Sequence, residues 1–258
     1  MAKIPDYIRW HIFHRKKHSK EEANYIAKII RKFLKKKDIS ILEIACGNGR
    51  LHPFLRKAGF DVYGIDNSKE LIKEAKRKYK KFADKYFIAD MRNFELDKKF
   101  DVALSWFTSF GYFNDKENFI VLKNINKHLK NNGILLLDIP NRIVKFDEIQ
   151  RFKSYVLSEK KFFEIVFNKL EKRGREIFWT LDQNFYLKRR KNLYFIKKVK
   201  TKVRLYSLKE IKNLLRRSKF KILKVFVSKS FENFDEKKHN QMFIVAKKST
   251  LKISNPIL

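Results

Sequence analysis

One cysteine, seven glycines and four prolines are spread over 258 residues, and each shortage removes a class of protein. A lone Cys46 excludes an internal disulfide and suggests a reducing compartment. So few glycines and prolines leave little room for a flexible linker, so the chain reads as packed structure nearly throughout. No apolar run approaches a membrane span and the first twenty residues hold no stretch of signal-peptide length, so a cytoplasmic protein with no membrane partner is expected. Acids are short as well: 28 Asp and Glu face 62 Lys and Arg, a net charge of +34. The ion-pair networks of thermophile proteins need matched acids and do not explain this excess. A field of that size draws polyanions such as RNA. Compositional drift, with lysines scattered through every segment beside abundant Ile, Phe, Asn and Tyr, accounts for it equally well.

What is present is organised around Ile41-Leu42-Glu43-Ile44-Ala45-Cys46-Gly47-Asn48-Gly49-Arg50. Ile41, Leu42 and Ile44 suit a strand packed on both faces, and Gly47 and Gly49 allow a turn whose backbone lies against a ligand. The segment Leu51 to Ala58 is expected to open a helix whose free N–H groups favour a negative ligand group. His52 stands where a dinucleotide fingerprint needs its third glycine, which makes NAD the poorer reading. Asp61 to Ile65 is a second strand ending on Asp66, whose carboxylate can accept both hydroxyls of a ribose, and Tyr86 to Ala89 is a third ending on Asp90. Strands that finish on polar residues form the rim of an open parallel sheet, where such sheets bind ligands.

These residues resemble the class I S-adenosylmethionine (SAM) methyltransferases, whose first motif has the form E-x-x-C-G-x-G. Ala89-Asp90-Met91-Arg92-Asn93-Phe94, Phe100-Asp101-Val102-Ala103, Phe107-Thr108-Ser109-Phe110-Gly111-Tyr112 and Gly133-Ile134-Leu135-Leu136-Leu137-Asp138 look like the later motifs. They are similar to those of the amino-sugar N-methyltransferase and glycine N-methyltransferase type, over roughly Lys20 to Lys248. The resemblance implies SAM as cofactor, with Glu43, Gly47 and Gly49 around the methionine end, Asp66 on the ribose, and Asp90 with the Met91 backbone reading the adenine. It also puts the acceptor mouth at Trp106, Phe107 and Tyr112, although Trp106 suits the core better. Arg204, in Arg-Leu-Tyr-Ser, looks like a recurring family element at the active-site edge.

The whole chain therefore reads as α/β, a Rossmann-like doubly wound sheet of seven strands. Residues 1–37 form an N-terminal helical cap, 38–141 the SAM-binding core, 142–206 an antiparallel β insertion acting as an acceptor lid, 207–248 the remainder of the core and 249–258 a loose tail. Within the cap, residues 5–17 look helical, and Ser19 with Glu22 makes a capping box for a second helix. His11, His14 and His18 fall near one helical face, but no carboxylate is regularly spaced among them and methyl transfer needs no metal, so none is expected. Ser68 caps the helix through Tyr79, Gly133 ends a helix from about Asp115 to Lys130, and a short or missing crossover lies between Asp90 and Phe100.

In the insertion, Lys161–Leu170, Glu176–Leu187 and Leu193–Tyr206 read as strands turning at 172–175 and 188–192. The last alternates Val199, Thr201, Val203 and Leu205 with Lys198, Lys200, Lys202 and Arg204. Successive lysines on such a face are about 6.6 Å apart, close to the phosphate spacing of an extended single strand. For the proton lost from a protonated amine the candidates are Tyr112, His14 and Asp138, in that order. A small amine or hydroxyl metabolite is the first substrate reading and RNA the second. A catalytically silent RNA-binding protein is disfavoured because all five cofactor positions are filled. The oligomeric state stays open.

Overall fold

The computed structural model describes residues 17–159 and 161–249. The expected helix over residues 5–17, with His11 and His14, and the tail beyond Ser249 lie outside them. The core runs α1 (Ser19–Phe33), β1 (Ser40–Ile44), α2 (His52–Lys57), β2 (Asp61–Asp66), α3 (Lys69–Lys78), a 3-10 segment (Lys80–Lys85), β3 (Tyr86–Ile88), β4 (Phe100–Ser105), α4 (Asp115–His128) and β5 (Leu129–Pro140). After α5 (Arg142–Arg151), the strands β6 (Ser154–Glu159), β7 (Phe162–Arg173), β8 (Glu176–Arg189) and β9 (Asn192–Arg204) form a separate sheet. The chain returns through α6 (Leu208–Arg217), β10 (Phe220–Val227) and β11 (Gln241–Lys248).

The large sheet has seven strands in the order β10-β11-β5-β4-β1-β2-β3. β1 pairs in parallel with both β2 and β4, while β11 is antiparallel to β5 and β10. The strand order reverses at β1, so loops after β1 and β4 splay to opposite sides and leave a crevice at the carboxyl ends. Period-two alternation sorts the apolar residues onto the two faces. Ile41, Val62, Leu104, Leu136 and Val245 pack with α1 and α2, whereas Leu42, Ile44, Ala103, Leu137 and Ile244 pack with α4 and α6. No helix crosses between Asp90 and Phe100, as the short spacing predicts. Among the described residues no helix is long and apolar enough to cross a membrane.

Three local expectations are corrected. Ser19 is the first helical residue rather than a cap, because the helix starts from His18 and the Glu22 carboxylate turns away into the protein. α4 ends at His128, five residues before Gly133, because Leu129 already pairs with Phe100 as β5 begins. The insertion has four strands rather than three: β6 pairs with β7 from Ser154↔Phe167 to Glu159↔Phe162, and its connection, Lys160-Lys161, carries none of the Gly, Asn or Asp that signal a hairpin.

The four-stranded sheet is fastened to the core at the carboxyl end of β9. Arg204 N donates to Gly111 O at 2.7 Å and Leu205 N to Ile177 O at 2.8 Å. Asp115 N donates to Glu176 Oε1 at 2.5 Å, and Tyr206 Oη to Asp115 Oδ1 at 2.8 Å. Gly111, at φ +105°, allows this close approach, since a Cβ there would lie 3.0 Å from Arg204 O. Arg204 is not on an open acceptor edge. Its side chain is 1% exposed and reaches Asp115 and Glu210, each at 3.0 Å. The expected basic ladder is also partly neutralised, with Lys202 Nζ 2.8 Å from Glu171 and Lys198 Nζ 3.8 Å from Asp182.

Removing Arg204 leaves Asp115 with Tyr206 Oη, and Glu210 with Arg142 and Ser207 N, as remaining partners, and takes away the cation that joins the two. Arg204→Met, which keeps most of the volume, is expected to lower the unfolding free energy by roughly 2–4 kcal/mol in urea titration. A loss under about 0.5 kcal/mol, the range of ordinary surface changes, contradicts a structural role for this anchor.

Candidate functional site

β1 delivers Glu43 to the carboxyl edge and runs into a loop in which Ala45, Gly47 and Gly49 take φ of 56°, 56° and 67°. Three left-handed residues in five fold the chain back on itself, and the loop is laced to β2 rather than left free. Cys46 N donates to Ile65 O at 2.9 Å. Gly47 N donates to Asp66 Oδ2 at 2.8 Å, and Ser68 N donates to Asp66 Oδ1 at 2.8 Å. A Cβ on Gly49 would sit 2.6 Å from Tyr86 Oη, so the loop rests directly on that ring. Burial pushes the Asp66 carboxyl up, the two backbone N–H groups pull it down, and the charge of Glu43 adds to the rise. Each Asp66 oxygen keeps a further lone pair for a ribose hydroxyl.

The helix after the loop does not present the expected fan of free N–H groups. α2 has six residues, His52 N donates to Gly49 O at 3.2 Å, Phe54 N donates to Leu51 O at 3.1 Å, and Pro53 has no donor. A diphosphate therefore finds little here to hold it, which removes the physical basis of dinucleotide binding at this loop.

Asp90 follows β3 and is held from the side. The Arg92 guanidinium meets its Oδ2 at 2.6 Å, Arg92 N donates to Oδ1 at 2.9 Å, and the same guanidinium reaches Glu117 at 2.6 Å. These hydrogen bonds hold the Asp90 carboxyl below its ordinary range. Met91 packs against the core beside it.

Across the crevice, the segment after β4 forms a strained turn, with Phe107 at φ 58° and Thr108 at φ 60°. Two consecutive bulky residues in the left-handed region cost conformational energy and persist only where surrounding bonds over-determine them, a recurrent feature of functional sites. Here those bonds come from Asp138 at the end of β5. Phe107 N donates to its Oδ2 at 3.0 Å and Thr108 N to its backbone O at 3.2 Å. Asp138 is thus beneath the acceptor loop rather than in the mouth, with 1% of its surface exposed. Burial pushes its carboxyl up to about 6, against Ser228, Gln241, the Phe107 N–H and the charge of Lys229. Tyr112 and Phe107 are exposed on the loop, whereas Trp106 is core, 2% exposed and T-stacked on Phe243.

The sequence reading missed a buried hub at this side of the crevice. Glu22 of α1 accepts from Arg50 Nη1 at 2.5 Å and from Trp106 Nε1 at 3.1 Å, and lies 2.8 Å from Lys229 Nζ. Arg50 and Lys229 both also approach the Phe107 ring, at 5.8 and 5.6 Å from its centroid. Burial alone would raise Glu22, but Arg50 and Lys229 outweigh it and hold the carboxyl low. One carboxylate thereby joins α1, the glycine loop, the end of β4 and the turn after β10. The only signal for it was a Glu at helical spacing among apolar residues, which the capping-box pattern absorbed. His14 lies outside the described residues. Among those described, no cluster of three or more His, Cys, Asp or Glu is placed to hold a metal ion.

Residues 41–133 match the methyltransferase domain family. The ubiquinone biosynthesis O-methyltransferase of Pelagibacter ubique is 37% identical over 111 residues, covering 42% of this chain and 45% of that one. The dTDP-3-amino-3,4,6-trideoxy-alpha-D-glucopyranose N,N-dimethyltransferase of Streptomyces venezuelae is 29% identical over 119 residues, covering 45% and 48%. The chain thus spans about half the length of the curated relatives it matches. In fold it is similar to an S-adenosylmethionine-dependent methyltransferase from Clostridium acetobutylicum, with a TM-score of 0.81 at 19% identity over 94% of this chain and 99% of that one. The architecture is that of the class I methyltransferases, a mostly parallel seven-stranded sheet with an antiparallel sheet attached.

A carboxyl raised to about 6 in the folded state binds its proton more tightly there than when unfolded, so its contribution to stability is full below about pH 4 and is lost as pH rises through 6. Asp138→Asn keeps an oxygen for Phe107 N and removes the titration. It is expected to raise stability relative to wild type above pH 7 by roughly 1–3 kcal/mol, with the difference shrinking toward pH 4, in urea titrations across that range. A difference that does not change with pH contradicts the raised carboxyl.

Proposed function

We propose that this chain is a SAM-dependent methyltransferase whose acceptor is a small metabolite carrying an amine or a hydroxyl. The observation that carries the reading is the glycine loop tied by Gly47 N to Asp66 Oδ2 at 2.8 Å, opposite a strained acceptor turn on the same sheet edge. A cofactor with a ribose and a positively charged end suits an edge lined by Glu43, Asp66 and Asp90. When bound, SAM supplies a methyl group on a sulfonium that is already a good leaving group, so positioning can contribute roughly 7–11 kcal/mol of the acceleration.

This chain's residues then have separable tasks. Asp66 takes the ribose and, through Gly47, holds the loop; Glu43 faces the methionine end; Asp90 and the Met91 backbone border the adenine. Asp138 fixes the Phe107–Thr108 turn so that the acceptor meets a preset wall, with the Phe107 ring steadied by Arg50 and Lys229. Tyr112, exposed on that loop, is the side chain best placed to relay the proton from a protonated amine. The four-stranded sheet, fastened through Gly111 and Asp115 next to this loop, covers the acceptor side and acts as the lid. Support for a small acceptor comes from relatives named for a quinone-pathway O-methylation and an amino-sugar N,N-dimethylation. RNA draws less support, since three of the four cations of the expected ladder, Lys198, Lys202 and Arg204, have acidic partners and Arg204 is buried.

Calorimetry is expected to find SAM binding at micromolar strength, with Asp66→Ala weakening it by about 1.5–3 kcal/mol through lost charge-assisted bonds. Labelled methyl should then enter an amine- or hydroxyl-bearing small-molecule extract and not total RNA. Equal affinity in the variant, or tighter binding of NAD, overturns the cofactor assignment; catalytic incorporation into RNA that falls in a Lys198→Gln, Lys200→Gln, Lys202→Gln triple variant overturns the acceptor class.

A further inference from the structure

We propose that His52 is a positioning residue for the cofactor: buried beneath the glycine loop, it fixes the Glu43 carboxylate that faces the methionine end of SAM. The inference rests on the reading above that Glu43 meets that end.

The imidazole has no exposed surface, and its Nε2 lies 2.8 Å from Glu43 Oε2, whose side chain is 8% exposed. The contact is short without being aligned as a linear hydrogen bond, and neither ring nitrogen has any other hydrogen-bond partner. The ring is stacked on Tyr86, with centroids 5.0 Å apart and planes 14° apart. Tyr86 accepts from Arg56 Nη1 at 3.2 Å and carries Gly49 of the loop on its other contacts. β2 is shaped for the ring as well, because a Cβ on Gly64 would lie 2.8 Å from His52 Cε1 and 2.5 Å from Cys46 Sγ. Loop, Tyr86, His52 and Glu43 therefore form one packed unit, and the position where a dinucleotide fingerprint needs a glycine is filled by a buried ring.

The groups facing His52 are Glu43 from β1, Cys46 from the loop, Tyr86 from β3 and Arg56 from its own helix. Burial pushes the ring pKa down, Glu43 opposes this and Arg56 reinforces it, so the net direction is toward the neutral ring. A neutral imidazole has one N–H, and the close approach of Nε2 to a carboxylate oxygen puts that hydrogen on Nε2. Nδ1 is then a buried acceptor without a donor, which costs stability. Phenylalanine would fill the same space and stack on Tyr86 without that cost. What the imidazole adds is an N–H-bearing nitrogen 2.8 Å from the Glu43 carboxylate. A glutamate ends in three rotatable bonds, and a carboxylate held through one oxygen presents the other in a fixed direction to the ligand's ammonium group.

The test compares two ligands in calorimetry: S-adenosylhomocysteine, which keeps the methionine-derived end, and 5′-methylthioadenosine, which lacks it. His52→Phe keeps the ring and removes the donor; His52→Gln keeps a donor and removes the ring. His52→Phe is expected to bind S-adenosylhomocysteine at least ten-fold more weakly than wild type while methylthioadenosine changes less than two-fold, and His52→Gln recovers most of the loss. Equal loss for both ligands, no loss for either, or a Gln variant no better than Phe overturns the proposal. Failure of wild type to bind S-adenosylhomocysteine overturns instead the cofactor reading beneath it. Should His52→Phe not fold, the nitrogen-15 shifts of wild-type His52 decide independently: the Nε2–H tautomer is expected, and Nδ1–H contradicts it.

Discussion

The gathering of carboxylates at one edge of the sheet, each needing a donor once it leaves water, is the constraint that the rest of the site answers to. Glu43, Asp66, Asp90 and Asp138 stand at the carboxyl ends of β1, β2, β3 and β5, with Glu22 of α1 close behind. β1, β2 and β3 are neighbours in the sheet at a spacing of about 4.8 Å, so carboxylates on their ends repel by at most about 3.5 kcal/mol at an effective dielectric near 20. Each is held by a different kind of donor. Asp66 has two backbone N–H groups, Asp90 a guanidinium, Asp138 the N–H of a strained turn, Glu22 two cations and an indole, and Glu43 the imidazole of His52. A ligand with a sulfonium and an ammonium relieves the remaining repulsion, whereas one with a diphosphate adds to it.

This arrangement runs against the charge of the molecule. At +34 the chain is strongly basic, yet carboxylates gather at the carboxyl ends of β1, β2 and β3, so the local charge there opposes that of the whole molecule. Within the insertion the basic face is partly spent internally, since Lys202 serves Glu171 and Arg204 anchors the sheet to Asp115 and Glu210. What the insertion contributes is position: its last strand is bonded to Gly111, four residues beyond the strained turn at Phe107, so the four-stranded sheet and the segment after β4 are directly coupled.

The fold was legible because its core strands are short apolar runs that suit packing on both faces, as with Ile41 and Leu42, and because the strand ends are marked by Asp66 and Asp90. The expected absence of a crossover helix before Phe100 followed from spacing alone. Less visible were features set by tertiary contact. Glu22 reads locally as the partner of Ser19, and only the folded chain turns it toward Arg50, Trp106 and Lys229. Gly133 reads as a helix stop, yet α4 has already ended at His128 where Leu129 finds Phe100. β6 has no turn residue to announce it. Phe107 and Thr108 are ordinary residue types, and nothing in their identity reveals a left-handed backbone that Asp138 imposes from a strand thirty residues away.

We propose that this acid-lined edge receives a cationic, ribose-bearing cofactor with its reactive end toward the strained turn. The most direct measurement is a crystal structure of the protein grown with SAM. The ribose hydroxyls should meet Asp66, the methionine end should lie along Gly47 and Glu43, and the sulfur should face Phe107 and Thr108. A ligand bound away from the carboxyl ends of β1 and β2, or seated there without contact to Asp66, contradicts it.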